Sequence, residues 1–133
     1  PMFRKAFEAG VPFLCGSETG FSVTPYGDWH YKELEVFVDK LGLTPLEAIT
    51  CGTKNASQAM RRDDLGVIAE GNIADLIVIS EDPSKDVTRL GNKDLIEKVF
   101  LNGKEVDLTP APKRINDPSG WRISSYSNKI LEK

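Results

Sequence analysis

The sequence predicts an α/β chain: the last βα units of a TIM-type (β/α)8 barrel, then part of a small β-sandwich. Three observations predict it. An apolar run of strand length, 11–15 (VPFLC), leads into the polar segment 16–20 (GSETG); a series of helical patterns follows; and short apolar runs separated by turn dipeptides fill the stretch up to residue 108. With about one barrel strand where eight are needed, the barrel is incomplete in this chain. The expected organisation is residues 1–63 as barrel units with their helices, 64–108 as the sandwich, and 109–133 as a proline-containing tail.

Each element has a local reason. In 2–9, Phe3, Ala6 and Phe7 share one helical face, and Gly10 is a natural terminator. Pro12 is tolerable at the start of a strand over 11–15. Directly after it, Glu18 lies where α/β folds place their chemistry, beyond the carboxyl end of a buried parallel strand. Pro25 and Gly27 mark 21–28 as loop, and Asp28 can cap a helix over 29–41, whose Leu34, Phe37, Val38 and Leu41 follow helical spacing up to Gly42. Thr44 and Glu47 form a capping box with Pro45 at the first helical position. A second, weaker pattern from Asn55 to Gln58 opens a short helix through Met60.

The stretch 64–80 organises the rest. Two apolar strands, 66–69 and 74–79, are expected to flank the turn 70–72, where Gly71 and Asn72 accept positive φ. Leu76, Ile77, Val78 and Ile79 run without alternation, which suits a strand buried on both faces or a segment of buried helix. A hairpin over 96–101 and 104–106 is expected around Asn102-Gly103. Pro110, Pro112 and Pro118 break the tail, which Trp121, Ile123 and Tyr126 could dock on the body.

Composition excludes several classes. A net charge of −3 over 133 residues gives no general attraction to nucleic acid or anionic lipid, and no apolar run spans a bilayer. Cys15 and Cys51 lie far apart without metal or redox spacing, so two reduced thiols in a cytoplasmic protein are expected, Cys15 as a small buried hydrophobe. His30 is the single histidine, so the chain supplies no histidine-rich metal centre by itself. Pro1 opens directly into a helical pattern, and the beginning of the protein is expected upstream of it. An incomplete sheet leaves open strand edges, and a homo-oligomer is the expected consequence.

Specific stretches resemble a known family. Residues 66–79 (GVIAEGNIADLIVI) resemble the C-terminal signature of the metal-dependent amidohydrolase superfamily, and 43–49 (LTPLEAI) with 53–56 (TKNA) resemble the helical segment before it. Residues 16–21 (GSETGF), 24–27 (TPYG) and 33–35 (ELE) are similar to the branch containing imidazolonepropionase and Xaa-Pro dipeptidase-like enzymes. The resemblance implies a metal centre at the carboxyl ends of the barrel strands, with its histidines upstream of this chain. It implies that the last strand ends in a carboxylate, normally aspartate, that binds metal and serves as general base. Here the matching position is Glu18, a departure that adds one methylene. The expected site is therefore Glu18 as catalytic and metal-binding residue, with Thr19 and His30 contacting substrate. A divalent metal, zinc foremost, is implied in the complete protein and none in this chain alone. The implied substrate is an amide, cyclic amide or dipeptide whose C–N bond is hydrolysed: the metal acidifies a water, and the carboxylate passes its proton to the leaving nitrogen. The alternative is a non-catalytic remnant or pseudoenzyme serving as an oligomerisation or interaction module. Asp75 is expected to fix the hairpin through backbone hydrogen bonds, and Tyr26 and Trp29 to line a pocket or pack.

Overall fold

Phenylalanine stacking holds the amino-terminal half together, in a computed structural model that describes residues 2–20, 24 and 29–109. Helix α1 (Met2–Glu8) turns off at Gly10, φ +82°, where the Val11 N–H donates back to the Ala6 carbonyl at 3.0 Å. Phe7 then stacks on Phe13 at 5.9 Å, and Phe13 meets Phe37 edge-on at 6.4 Å. Helix α2 (His30–Leu41) ends at Gly42 in the left-handed region, and Leu43 folds back into the interior. Helix α3 (Pro45–Gly52) carries the expected capping box: the Glu47 N–H donates to Thr44 Oγ1 at 3.3 Å, and the Thr44 N–H donates to Glu47 Oε2 at 2.7 Å. Its inner face brings Ala48 and Cys51, both 0% exposed, against Phe37 and Leu43. Burying a side chain such as Phe37 or Leu43 contributes about 1.5–3 kcal/mol, so this cluster carries much of the stability.

Three local expectations change in this half. The run 11–15 forms no strand among the described residues. Its polar backbone is satisfied otherwise: Asn55 Nδ2 donates to the Phe13 carbonyl at 2.7 Å, and the Cys15 N–H donates to the Cys51 carbonyl at 3.4 Å. Asn55 is thereby spent as a tie and not as a cap, and helix α4 (Lys54–Ala59) starts after Thr53 with no side-chain cap. Helix α2 starts at His30, one residue later than expected, with Trp29 at its N-cap position. The capping role of Asp28, the pocket role of Tyr26 and the docking of Trp121, Ile123 and Tyr126 lie outside the described residues.

The sheet has three antiparallel strands in the order β1 (Leu76–Ile79), β2 (Ile96–Leu101), β3 (Lys104–Glu105). Leu76 pairs with Phe100 and Ile77 with Val99, and the register breaks between Val78 and Ile79. Residues 66–69 are not a strand, so the expected hairpin around 70–72 is absent: β1 pairs with β2, not with its upstream neighbour. The reason is visible in the hydrogen bonds. Asn72 Nδ2 donates to the Val67 carbonyl at 2.9 Å and the Ile73 N–H donates to the Asp64 carbonyl at 2.9 Å, closing 64–73 into a loop of its own. Nor is β1 buried on both faces. Ile77 and Val78 point to opposite sides and are 59% and 38% exposed, because three strands leave both faces partly uncovered.

The hairpin at Asn102-Gly103 does form, and Asp75 fixes it. Asp75 Oδ1 accepts the Asn102 N–H at 2.7 Å, and the Gly103 N–H donates to the Ala74 carbonyl at 2.9 Å. Between β1 and β2, the 3-10 turns Val87–Gly91 and Lys93–Leu95 bring Gly91 under the Tyr31 ring, so closely that a Cβ has no room there. This contact joins the sheet to α2. No helix among the described residues is long and apolar enough to cross a membrane.

Candidate functional site

Residues 15–20 leave the core beside Cys51 and run along the first turn of α2. Two side chains of that turn, one turn apart on the same helical face, meet the segment. Glu33 Oε1 accepts the Gly16 N–H at 3.0 Å, and His30 Nδ1 lies 3.5 Å from Ser17 Oγ. Beyond them comes Glu18, whose φ of +50° is left-handed and costly for a side chain with a Cβ. Its carbonyl accepts from Thr24 Oγ1 at 3.1 Å, and the Thr24 carbonyl accepts the Gly20 N–H at 2.8 Å. The Glu18 carboxylate is exposed and bonds to no described residue.

Beside this segment lies a cleft of about 470 Å³, lined by Cys15, Ser17, His30, Tyr31, Glu33, Leu34 and Gly52 together with Ile77, Leu90 and Ile96. The expected site residues are thus divided. His30 lines the cleft, whereas Glu18 and Thr19 do not, Glu18 standing exposed and Thr19 half-buried on the neighbouring turn. Glu33, which the sequence reading used only as part of a motif, is the carboxylate that the cleft contains. The i, i+3 spacing of His30 and Glu33 was the available signal. Burial, the Glu33 charge and the nearby Cys51 together push the Cys15 thiol up to about 12, and burial also raises Cys51. Both cysteines are free thiols.

The arrangement is thus an exposed carboxylate at the outer end of a segment held by side-chain ties, next to a largely apolar cleft with one imidazole. The model of the amidohydrolase family matches residues 1–106, and the chain belongs to that family. It is 49% identical over 68 residues to an imidazolonepropionase of Pyrobaculum arsenaticum, which covers 51% of this chain and 17% of that protein. It is 33% identical over 104 residues to an ochratoxinase of Aspergillus niger, covering 77% of this chain and 21% of that protein. The crystal structure of A. niger ochratoxinase superposes with a TM-score of 0.68 at 31% identity, over 77% of this chain and 23% of the other. The chain spans about a fifth of the length of these curated relatives. The solved neighbours are amidohydrolase TIM barrels, and the mixed helices and partial sheet here fit an incomplete barrel of that kind.

The family in general uses a divalent metal. Among the described residues, no group of three or more His, Cys, Asp or Glu side chains is placed to hold one. Glu18 offers a single carboxylate, and His30 is turned to Ser17. These residues alone do not fit a metal centre.

Proposed function

We propose that this chain is the carboxyl-terminal part of a hydrolase of C–N bonds, acting on an amide, cyclic amide or dipeptide, with Glu18 as the carboxylate nearest the reacting atoms. The family match over residues 1–106 carries this reading; Glu18 enters it through the sequence resemblance, which sets it against the acid that ends the family's last strand. Two structural features support it. The backbone is tied on both sides of Glu18, and the exposed carboxylate itself has no partner among the described residues. In this role Glu18 accepts a proton from the attacking water and hands it to the departing nitrogen. His30, on the cleft wall, and Thr19, on the turn beside Glu18, contact the substrate. A divalent metal, zinc in the first instance, belongs to the complete protein and is held there with residues from outside this chain.

The test is hydrolysis of an imidazolone ring substrate and of Xaa-Pro dipeptides by the complete protein and its variants. Glu18→Gln is expected to lose about 10²- to 10⁴-fold in turnover, the range of positioned acid–base groups. Turnover by Glu18→Gln equal to that of the parent overturns the assignment. So does hydrolysis, with bound metal, by residues 1–133 alone, which are expected to be inactive.

A second reading has its own observation. Ile77 and Leu101, 59% and 63% exposed, stand on a sheet whose first strand has an edge unpaired among the described residues, which suits an assembly surface. A monomer by light scattering at micromolar concentration counts against it.

A further inference from the structure

Glu33 has no part in the chemistry assigned above, yet its surroundings are unusual for a surface helix acid. One oxygen, Oε1, accepts the Gly16 N–H at 3.0 Å across 17 residues of sequence. The other, Oε2, is buried with no hydrogen-bond partner among the described residues. Burying a carboxylate oxygen unpaired is unfavourable, so the rest of the contact must compensate for it. A carboxylate accepting a backbone N–H is a charge-assisted bond and stronger than a neutral one. It fixes the segment two residues before Glu18.

Glu18 needs such a tie. A non-glycine residue at φ +50° persists only where its neighbours over-determine the backbone. Downstream, Thr24 Oγ1 holds the Glu18 carbonyl at 3.1 Å. Upstream, the 3.5 Å contact of Ser17 Oγ with His30 is at the limit of a hydrogen bond. The Glu33–Gly16 bond is therefore the firm upstream anchor. The run 11–15 provides no ladder of its own to replace it.

We propose that Glu33 is a positioning residue: its carboxylate clamps the Gly16 backbone and thereby sets the direction in which the Glu18 carboxylate is presented. The catalytic consequence rests on the reading of Glu18 given above; the clamp does not. Three variants of the complete protein test it, with amide exchange at Gly16 and the kcat and KM of hydrolysis as readouts. Glu33→Ala removes the acceptor and is expected to speed Gly16 exchange by about 10-fold or more. It should lower kcat by about 10²-fold, as a misplacement near 1 Å does, with KM within about threefold. Glu33→Gln keeps an oxygen at the same place and should return both readouts to within about threefold of the parent. Should Glu33→Ala fail to fold, Glu33→Asp, which withdraws the oxygens by one methylene, is expected to show the same split at smaller size.

Unchanged Gly16 exchange in the variant lacking the acceptor overturns the clamp. Equal losses in Glu33→Gln and Glu33→Ala also overturn it, since an acceptor oxygen at that position would then not hold the segment. The failures are distinguishable. If Glu18→Gln is inactive while Glu33→Ala matches the parent in kcat and exchange, only the clamp fails. If Glu18→Gln is fully active, the reading of Glu18 fails and takes the catalytic role of Glu33 with it.

Discussion

Gly66 is the position where a single methyl group should do most damage. Its φ is +74°, so any Cβ there is strained. The same Cβ would lie 2.6 Å from the Thr53 carbonyl oxygen, 2.8 Å from its carbon and 3.0 Å from Ser57 Oγ. The nearest atoms are backbone and cannot swing aside; the Thr53 carbonyl also accepts the Ser57 N–H at 3.0 Å, so moving it disturbs the start of α4. Gly71 supplies the control, because it sits at φ +87° with nothing within 4 Å of a Cβ. Left-handed strain alone costs about 1–2 kcal/mol, so Gly71→Ala should lose about that much. Overpacking against a fixed neighbour adds about 1–3 kcal/mol, placing Gly66→Ala at about 2–5 kcal/mol. The difference between the two variants isolates the docking of loop 64–73 onto α4. Urea unfolding of both, with midpoints compared at equal m-values, measures it. Losses equal within about 0.5 kcal/mol would refute the close approach of Gly66 to Thr53, since non-interacting sites scatter by about that amount.

Further outcomes follow from other contacts. With its thiol pushed from 9.0 to about 12, Cys15 in the native protein should alkylate with iodoacetamide at pH 8 about 10³-fold more slowly than a free cysteine. Mass spectrometry of the labelled peptide checks this, and Glu33→Gln, which removes one of the causes, should speed it. Thr44→Ala should cost about 1 kcal/mol through loss of the cap. Because the Thr44 N–H holds the Glu47 carboxyl below its ordinary 4.5, the linked stability is present above pH 4.5 and is lost as pH falls through the lowered folded value. Unfolding midpoints between pH 7 and pH 3 should therefore show a shallower acid limb in Glu47→Gln, which removes the titrating carboxyl, while Thr44→Ala keeps the backbone donor and most of the pH dependence. Asp75→Ala should free the Asn102 amide and cost about 1 kcal/mol, while Asp75→Asn, which keeps an acceptor oxygen, should lose less; amide exchange at Asn102 reads both.

Features written in adjacent residues were legible from the sequence. The box of Thr44 and Glu47, the left-handed stop at Gly42 and the turn at Asn102-Gly103 are each decided within a few residues, and each formed. Asp75 was legible by its type, a short carboxylate beside a turn, although its partner lies 27 residues away. What failed was pairing. Residues 66–69 have the composition of a strand, but composition does not choose a neighbour, and Asn72 captured the Val67 carbonyl instead. Asn55 resembled a cap because caps are short polar side chains, yet the Phe13 carbonyl, 42 residues distant in sequence, claimed its amide.

The candidate site divides along the same line. Glu18 is singled out as a candidate by its place after an apolar run and inside a family pattern, because both are linear features. Its presentation could not, because it depends on Glu33 reaching Gly16 and on Thr24 reaching the Glu18 carbonyl, contacts that exist only after folding. Helix α2 supplies the physical link. The stop at Gly42 and the burial of Phe37 fix how α2 lies on the core, and that in turn fixes where its first turn carries His30 and Glu33. A substitution that loosens Phe37, such as Phe37→Ala at about 3–5 kcal/mol, should therefore reach the Gly16 amide from the far end of the helix. Faster Gly16 exchange in that variant, under conditions where the protein remains folded, would show that the carboxylate is aimed through the core and not by its loop alone.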